Sequence, residues 1–147
     1  MKTIILGLSL VLLATSPASA LLPDSIGHIQ TLKGAASIMR GSNTVPAAVG
    51  VPVYQGDTIR TMKTGSVGIV MADDASLSLG PESEITLKDY LFNPKEGKFA
   101  FVTRIAKGTF SYLSGIIGKL SPDSIRLEIP DATIAVRGTR LLVKVEE

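Results

Sequence analysis

Four groups of residues in this chain have the types and spacing to do chemistry. The first is Arg137-Gly138-Thr139-Arg140, where two guanidinium groups flank a glycine turn. An exposed arginine pair of this kind can dock a carboxylate or phosphate with paired hydrogen bonds. The simpler reading makes Gly138 and Thr139 a bulge or tight turn between strands. The second is acidic: Asp57 after Gly56, and Asp73-Asp74. Together they suggest oxygen ligands for calcium, but calcium needs about six to eight oxygens from a compact acidic loop, and no such loop is present. Asp57 is better read as a turn residue that caps backbone N–H groups, and Gly56, Asp74, Gly80 and Pro81 as turn residues beside it. The third is Glu82 and Glu84 on one strand face, where two exposed carboxylates protecting a sheet edge explain the spacing better than an acid/base pair. The fourth is GIIGKLS at Gly115 to Ser121, which fails the phosphate-loop spacing and places Leu120 where a hydroxyl should bind magnesium.

What is missing narrows the chemistry further. The 147 residues contain no Cys and one His. Disulfide scaffolds, zinc knuckles, cysteine nucleophiles and lipobox anchors are excluded, and His28 is left as the one candidate for any histidine-dependent triad. No partner for His28 is visible, so it reads as a half-buried strand residue. The residues imply no cofactor and no metal, and the chain reads as a non-enzyme. Basic residues are spread out and not interleaved with aromatics, which argues against nucleic-acid binding.

The elements that must position these residues are strands. Val67, Ile69 and Met71 share one face, as do Leu77 and Leu79, Ile85 and Leu87, Ile125, Leu127 and Ile129, and Leu141, Val143 and Val145. Alternation of this kind is the strand period. Turn chemistry separates the runs, at Gly41-Ser42-Asn43, Gln55-Gly56-Asp57, Asp73-Asp74, Gly80-Pro81, Asn93 to Gly97 and Lys107-Gly108. Such runs about every 8–12 residues indicate an all-β fold of many short strands. Similar strand lengths and cadence favour solenoid-like stacking, with a β-sandwich or partly open barrel as the alternative. Phe110 to Leu120 has room for a short helical turn, weakened by Gly115 and Gly118. Tyr90/Phe92, Phe99/Phe101 and Phe110/Tyr112 are i, i+2 pairs that hold six of the seven aromatic residues. They read first as a core ladder of cross-strand pairs. The alternative is an exposed platform, with Phe99 and Phe101 stacking a glycan.

The first twenty residues read as an export signal. Lys2 is the positive n-region, Ile4 to Ala14 the apolar stretch, and Ala18-Ser19-Ala20 the cleavage pattern. The apolar run is shorter than the ~20 residues needed to span a bilayer. Cleavage after Ala20 leaves residues 21–147 as one domain. Removing Lys2 takes the net charge from +2 to +1 (14 Lys and Arg against 13 Asp and Glu). No later stretch has transmembrane length, so the expected location is periplasmic or otherwise extracytoplasmic.

Read in order, the motifs resemble the FecR domain family. The carrying segments are GVPVYQGDTIRT at Gly50 to Thr61, VGIVMADDASLSLGPES at Val67 to Ser83, LKDYLFNPKEG at Leu87 to Gly97, Gly108 to Leu120, and SIRLEIPDATIAVRGTRLLV at Ser124 to Val143. The resemblance runs from about Ile26 to the C-terminus. It implies an all-β, extracytoplasmic, non-catalytic module that recognises another envelope protein, as in regulators that relay a transporter signal to a sigma factor. With its signal removed, this chain is similar to the stand-alone exported members, for which sigma-factor control is not implied directly. Three positions depart from the family pattern: Ala75 stands at a turn glycine, Ile129 at a common Thr and Arg140 at a common Glu. Arg137 and Arg140 are candidate interaction residues on their own chemistry, and the change at Arg140 reverses the charge that the family pattern has beside the RGT turn. The N-terminus of the protein recovered from the cell envelope is expected to be Leu21. N-terminal sequencing checks this, and retention of Met1 to Ala20 contradicts it.

Overall fold

The computed structural model describes residues 24–146; the export signal expected at residues 1–20 lies outside them. Twelve strands form one curled sheet that closes into a half-barrel. In chain order they are β1 (Gly27–Lys33), β2 (Ala36–Arg40), β3 (Asn43–Pro46), β4 (Pro52–Val53), β5 (Thr58–Thr61), β6 (Ser66–Met71), β7 (Ser76–Leu79), β8 (Glu84–Asn93), β9 (Lys98–Leu113), β10 (Ile125–Ile129), β11 (Ala132–Ala135) and β12 (Arg140–Val145). A five-residue helix α1 (Ile116–Leu120) and a 3₁₀ turn at Pro122–Ser124 join β9 to β10. The all-β class is as the strand period indicates.

The solenoid preference is not what the structure shows. Strands run β3-β2-β5-β8-β9-β7-β6-β1-β4, so β1 pairs with β6 and β2 with β5 across intervening strands. All pairings are antiparallel except β9 with β10. The similar strand lengths behind the solenoid expectation are not found: they run from two residues in β4 to sixteen in β9. The deciding feature is β9. Its residues from Lys98 to Lys107 pair with β8, and Phe101 to Arg104 with β10. Residues Phe110 to Leu113 pair with β7, and Gly108 to Leu113 with β12. One strand is therefore shared by two leaves.

Lys107-Gly108, read from sequence as a turn, is a bend inside this strand. Gly108 takes φ +93°. Phe101, Thr103 and Ile105 are buried before it, and Phe110 and Tyr112 after it. The inward parity thus changes from odd to even across the bend. A similar shift occurs in β8, where the register with β9 slips between Leu87 and Asp89. That bulge at Lys88 turns Tyr90 inward, although Ile85 and Leu87 set the opposite parity.

Ser83 packs under the bend. Its hydroxyl accepts the Thr109 N–H at 2.9 Å, and its own N–H donates to Thr61 Oγ1 at 2.9 Å. Thr61 Oγ1 donates in turn to the Gly80 carbonyl at 2.7 Å. Both Ser83 and Thr61 are buried, so these bonds satisfy groups that water cannot reach. Above and below this knot the inward side chains of both leaves form one core. Ile38, Ile59, Ile85 and Leu127 come from one leaf, and Ile29, Ile69, Leu77 and Phe110 from the other.

A methyl group at position 108 would overlap both the backbone and the side chain of Ser83. Gly108→Ala is therefore expected to cost about 2–4 kcal/mol, from positive-φ strain plus overpacking. Gly41→Ala, at φ +61° with open space around it, should cost only about 1 kcal/mol. Urea unfolding midpoints of the two variants check the difference; equal midpoints would show that the Ser83 contact is unimportant.

Candidate functional site

The site with the most construction behind it begins at the β6–β7 turn. Asp74 has φ +67°, a left-handed conformation that Asp tolerates better than most residues. The turn thereby forms with Ala75, fully buried, where the family resemblance has glycine. The Asp74 N–H donates to the Met71 carbonyl at 3.0 Å. This leaves Asp73 pointing inward, with no exposed surface.

Asp73 is held from three directions. One carboxylate oxygen accepts the Tyr90 hydroxyl at 2.9 Å and the other accepts the Ile117 N–H at 3.1 Å. Its N–H donates back to the Tyr90 oxygen at 2.9 Å, and its carbonyl accepts the Ile116 N–H at 2.8 Å. The β6–β7 turn, β8 and the start of α1 therefore meet on a single residue. Gly115 makes the close approach possible, because a side chain there would collide with the Asp73 carbonyl and the Ala75 backbone. Burial, reinforced by the Asp73 charge, pushes the Tyr90 phenol far above its ordinary value. The same two causes in the same order raise Tyr112 from 10 to about 12.

So anchored, α1 and the 3₁₀ turn make one wall of a shallow cleft, and Arg137, Gly138 and Thr139 make the other. The walls are joined by the Ser114 N–H donating to the Thr139 carbonyl at 2.8 Å. Gly138 takes φ +126°, and an added Cβ would meet nothing within 4 Å, so the position needs glycine for its backbone alone. Lys119 and Arg137 line the cleft with Asp123. Arg137 and Asp123 approach to 3.4 Å while remaining 81% and 83% exposed, a solvated pair of little energetic weight. With two cations and one acid, the cleft lining carries one net positive charge. Sequence reasoning missed Lys119 and Asp123. Their signal was the Pro122 turn that bends the chain between them.

The remaining residues singled out from sequence lie elsewhere. Asp57 is 1% exposed and receives a two-pronged bond from Arg40, Nε at 3.0 Å and Nη2 at 2.8 Å. It also accepts the Tyr54 N–H at 2.9 Å, and the Arg40 guanidinium lies 4.5 Å from the Tyr54 ring centre. The hydrogen bond that Arg40 donates to Asp57 makes Arg40 more basic than usual. Gly56, at φ +90°, donates its N–H to the Leu87 carbonyl at 2.6 Å. Gly80 donates to the Thr109 carbonyl at 3.0 Å, and after Pro81 the exposed Glu82 takes φ +50°. Glu84 pairs with Arg60 at 3.2 Å. Asp57, Asp73 and Glu84 thus serve separate partners, and Glu84 lies on β8 between β5 and β9, so it does not guard a sheet edge. Among the described residues no three His, Asp or Glu side chains gather as a metal site. His28 is exposed, not half-buried, because Gly27 and Ile29 take the inward positions of β1.

The aromatic residues also fall differently from the exposed-platform reading. Phe101 is 2% exposed and packs between Tyr90 and Tyr112, with ring centres at 5.7 and 5.5 Å. It presents no face to a ligand. Phe99 is half-buried against Phe92 at 6.2 Å. Arg140 does not join Arg137 in the cleft; it opens β12 opposite Leu113.

Compared with known families, residues 57–147 match the model for FecR protein. The chain belongs to the FecR family. No curated protein and no solved structure matches it. The FecR match takes in the Asp73 turn, Tyr90, α1 and both walls of the cleft. It begins at Asp57, so β1 to β4 precede it, although β1 is hydrogen-bonded along the length of β6. FecR is a regulatory and signalling family, which makes the chain a signalling-related module. Among the described residues no helix is long and apolar enough to cross a membrane.

Tyr90→Phe removes the hydroxyl that both accepts from and donates to Asp73, and should lower stability by about 1–3 kcal/mol. Alkaline titration gives a second check. Below pH 10 both folded and unfolded chains keep the Tyr112 proton. Between pH 10 and about 12 the unfolded chain releases it while the folded one retains it, so stability falls as pH rises. Unfolding free energies across this range should decline in the wild type, and less steeply in Tyr112→Phe.

Proposed function

We propose that this FecR-family chain is an exported, non-catalytic sensing module that binds another protein of the cell envelope. The observation that carries the reading is the FecR match over residues 57–147, the part of the sheet that contains β9 and the cleft. The N-terminal export signal supplies the compartment. The sheet supports a contact role because, among the described residues, β3, β4, β11 and β12 each have one hydrogen-bonding edge without a strand beside it. A partner strand laid on such an edge gains backbone hydrogen bonds in register, with alternate side chains for specificity. The cleft between α1 and Arg137 lies beside this sheet and offers Lys119 and Arg137 to an acidic side chain of the partner.

Crosslinking in intact cells, followed by purification of tagged protein, is expected to recover a discrete adduct with a polypeptide of different mass. Arg137→Glu should reduce that adduct several-fold, since it reverses one of the two cleft cations. Recovery at background level with the wild type would overturn the proposal.

A further inference from the structure

The four open edges are not equally protected. β4 has two residues and begins with Pro52; β3 has four and ends on Pro46; β11 has four and follows the Pro130-Asp131 turn. β12 has six residues, Arg140–Val145, with no proline, no glycine and an unbroken register against β9. Its inward residues Leu141, Val143 and Val145 carry no charge. Of the devices that blunt an edge, β12 lacks shortness, proline, a bulge and inward charge, and keeps only the outward charges of Arg140 and Lys144.

The hydrogen-bond phase of β12 follows from the strand start. The Ser114 N–H donates to the Thr139 carbonyl, so the Thr139–Ser114 pair is a bonded one. Alternation along the ladder then directs the backbone groups of Leu141, Val143 and Val145 to β9. Those of Arg140, Leu142 and Lys144 are left facing the open edge. The side chains of these three residues stand on the outer face of the sheet, where Leu142 is 69% exposed and Leu113, next to Arg140, is 39% exposed.

We propose that two copies of this chain pair antiparallel through β12, with Val143 at the two-fold axis. In that register Arg140 of one copy stands opposite Glu146 of the other. Leu142 stands opposite Lys144, whose aliphatic stem covers it. On the core side, Leu141 meets Val145 and Val143 meets its own copy. The neighbouring registers fail. Centring on Leu142 sets Arg140 against Lys144, and centring on Lys144 sets that lysine against itself; like charges directly opposite destabilise a strand pair. A one-residue slip would place the core faces of the two copies on opposite sides. Glu146, which lies 3.3 Å from Lys144 within one chain, thus has a second cation to meet in the dimer. The self-pairing occupies β12 alone and does not depend on capture of an envelope partner at another edge.

Sedimentation equilibrium over a range of protein concentrations tests this directly. The wild type is expected to show a reversible monomer–dimer equilibrium that weakens as salt is added. Arg140→Glu and Glu146→Arg should each weaken dimerisation roughly tenfold or more, by placing like charges opposite each other at both ends of the pair. An equimolar mixture of the two variants should restore dimers, because each supplies the charge that the other lacks. Leu142→Pro should abolish dimers by removing an edge N–H, while circular dichroism and the unfolding midpoint of the charge variants stay at wild-type values. A wild type that remains monomeric up to ~1 mM overturns the proposal. So does an Arg140→Glu variant that dimerises normally, a mixture that fails to recover, or assembly beyond the dimer.

Discussion

One strand belongs to both leaves of this protein, and it can do so because a glycine lies against a buried serine. β9 runs sixteen residues, more than a flat strand in a small domain usually keeps. At Gly108 its backbone adopts a conformation open to glycine and costly to other residues. The space that a side chain would need is filled by Ser83. The close approach has a polar consequence: the Thr109 N–H, the Ser83 N–H and the Thr61 hydroxyl all need partners away from water. They find them in one another and in the Gly80 carbonyl. The bend is thus fixed by shape and by hydrogen-bond satisfaction together. Four strands take their register from β9, so the curl of the sheet and the position of β12 both follow from this contact.

Asp73 is the second node and works differently. It joins no two strands of the sheet as neighbours; it ties a turn, a strand bulge and a helix to one carboxylate. Each depends on the others. Without the bulge at Lys88, Tyr90 would face solvent and the carboxylate would lose its hydroxyl donor. Without Gly115, the chain could not come close enough for the Ile116 and Ile117 N–H groups to reach the turn. A buried carboxylate lacking any of these donors is costly, which makes the arrangement all-or-none. The cleft beyond α1 inherits its shape from this network although no cleft residue belongs to it.

Much of the fold was legible in the residues. The alternation in Val67 to Met71, Leu77 to Leu79 and Leu141 to Val145 matches the burial seen in β6, β7 and β12. The motif order pointed to the FecR family, and the family match agrees over residues 57–147. The failures came where parity changes. Lys107-Gly108 carries the composition of a turn, and only the third dimension shows the strand continuing through it. Phe101 and Phe110 differ in parity, which is compatible with two strands and a turn or with one strand and a bend. Tyr90 and Leu87 differ in the same way because of a bulge that leaves no distinctive residue behind. The site was legible only in part, because its contacts are long-range. Arg137-Gly138-Thr139 stood out, but Asp73 meets Ile117 across 44 residues and Asp57 meets Arg40 across 17. Local spacing carries no trace of either pairing.

The two leaves also differ in what they show the outside. On the leaf around β8, cross-strand charge pairs cover the surface, with Arg60 beside Glu84 and Lys88 at 2.8 Å from Glu128. Such a face is well solvated and resists association. On the leaf around β7, the outer positions opposite one another are Gly68, Ser78, Ser111 and Leu142. This row carries no charge until it reaches the open edge of β12, where Arg140 and Lys144 flank Leu142. The chain reaches that edge through Gly138, directly after forming the cleft wall with Arg137. The φ of +126° at Gly138 lets one arginine stay at the cleft while the next starts the edge strand. Since no atom crowds this glycine, packing does not require it; the change of direction does. The value of the Arg137-Gly138-Thr139-Arg140 motif therefore lies in separation: it divides two neighbouring cations between two surfaces that a straight strand would have merged.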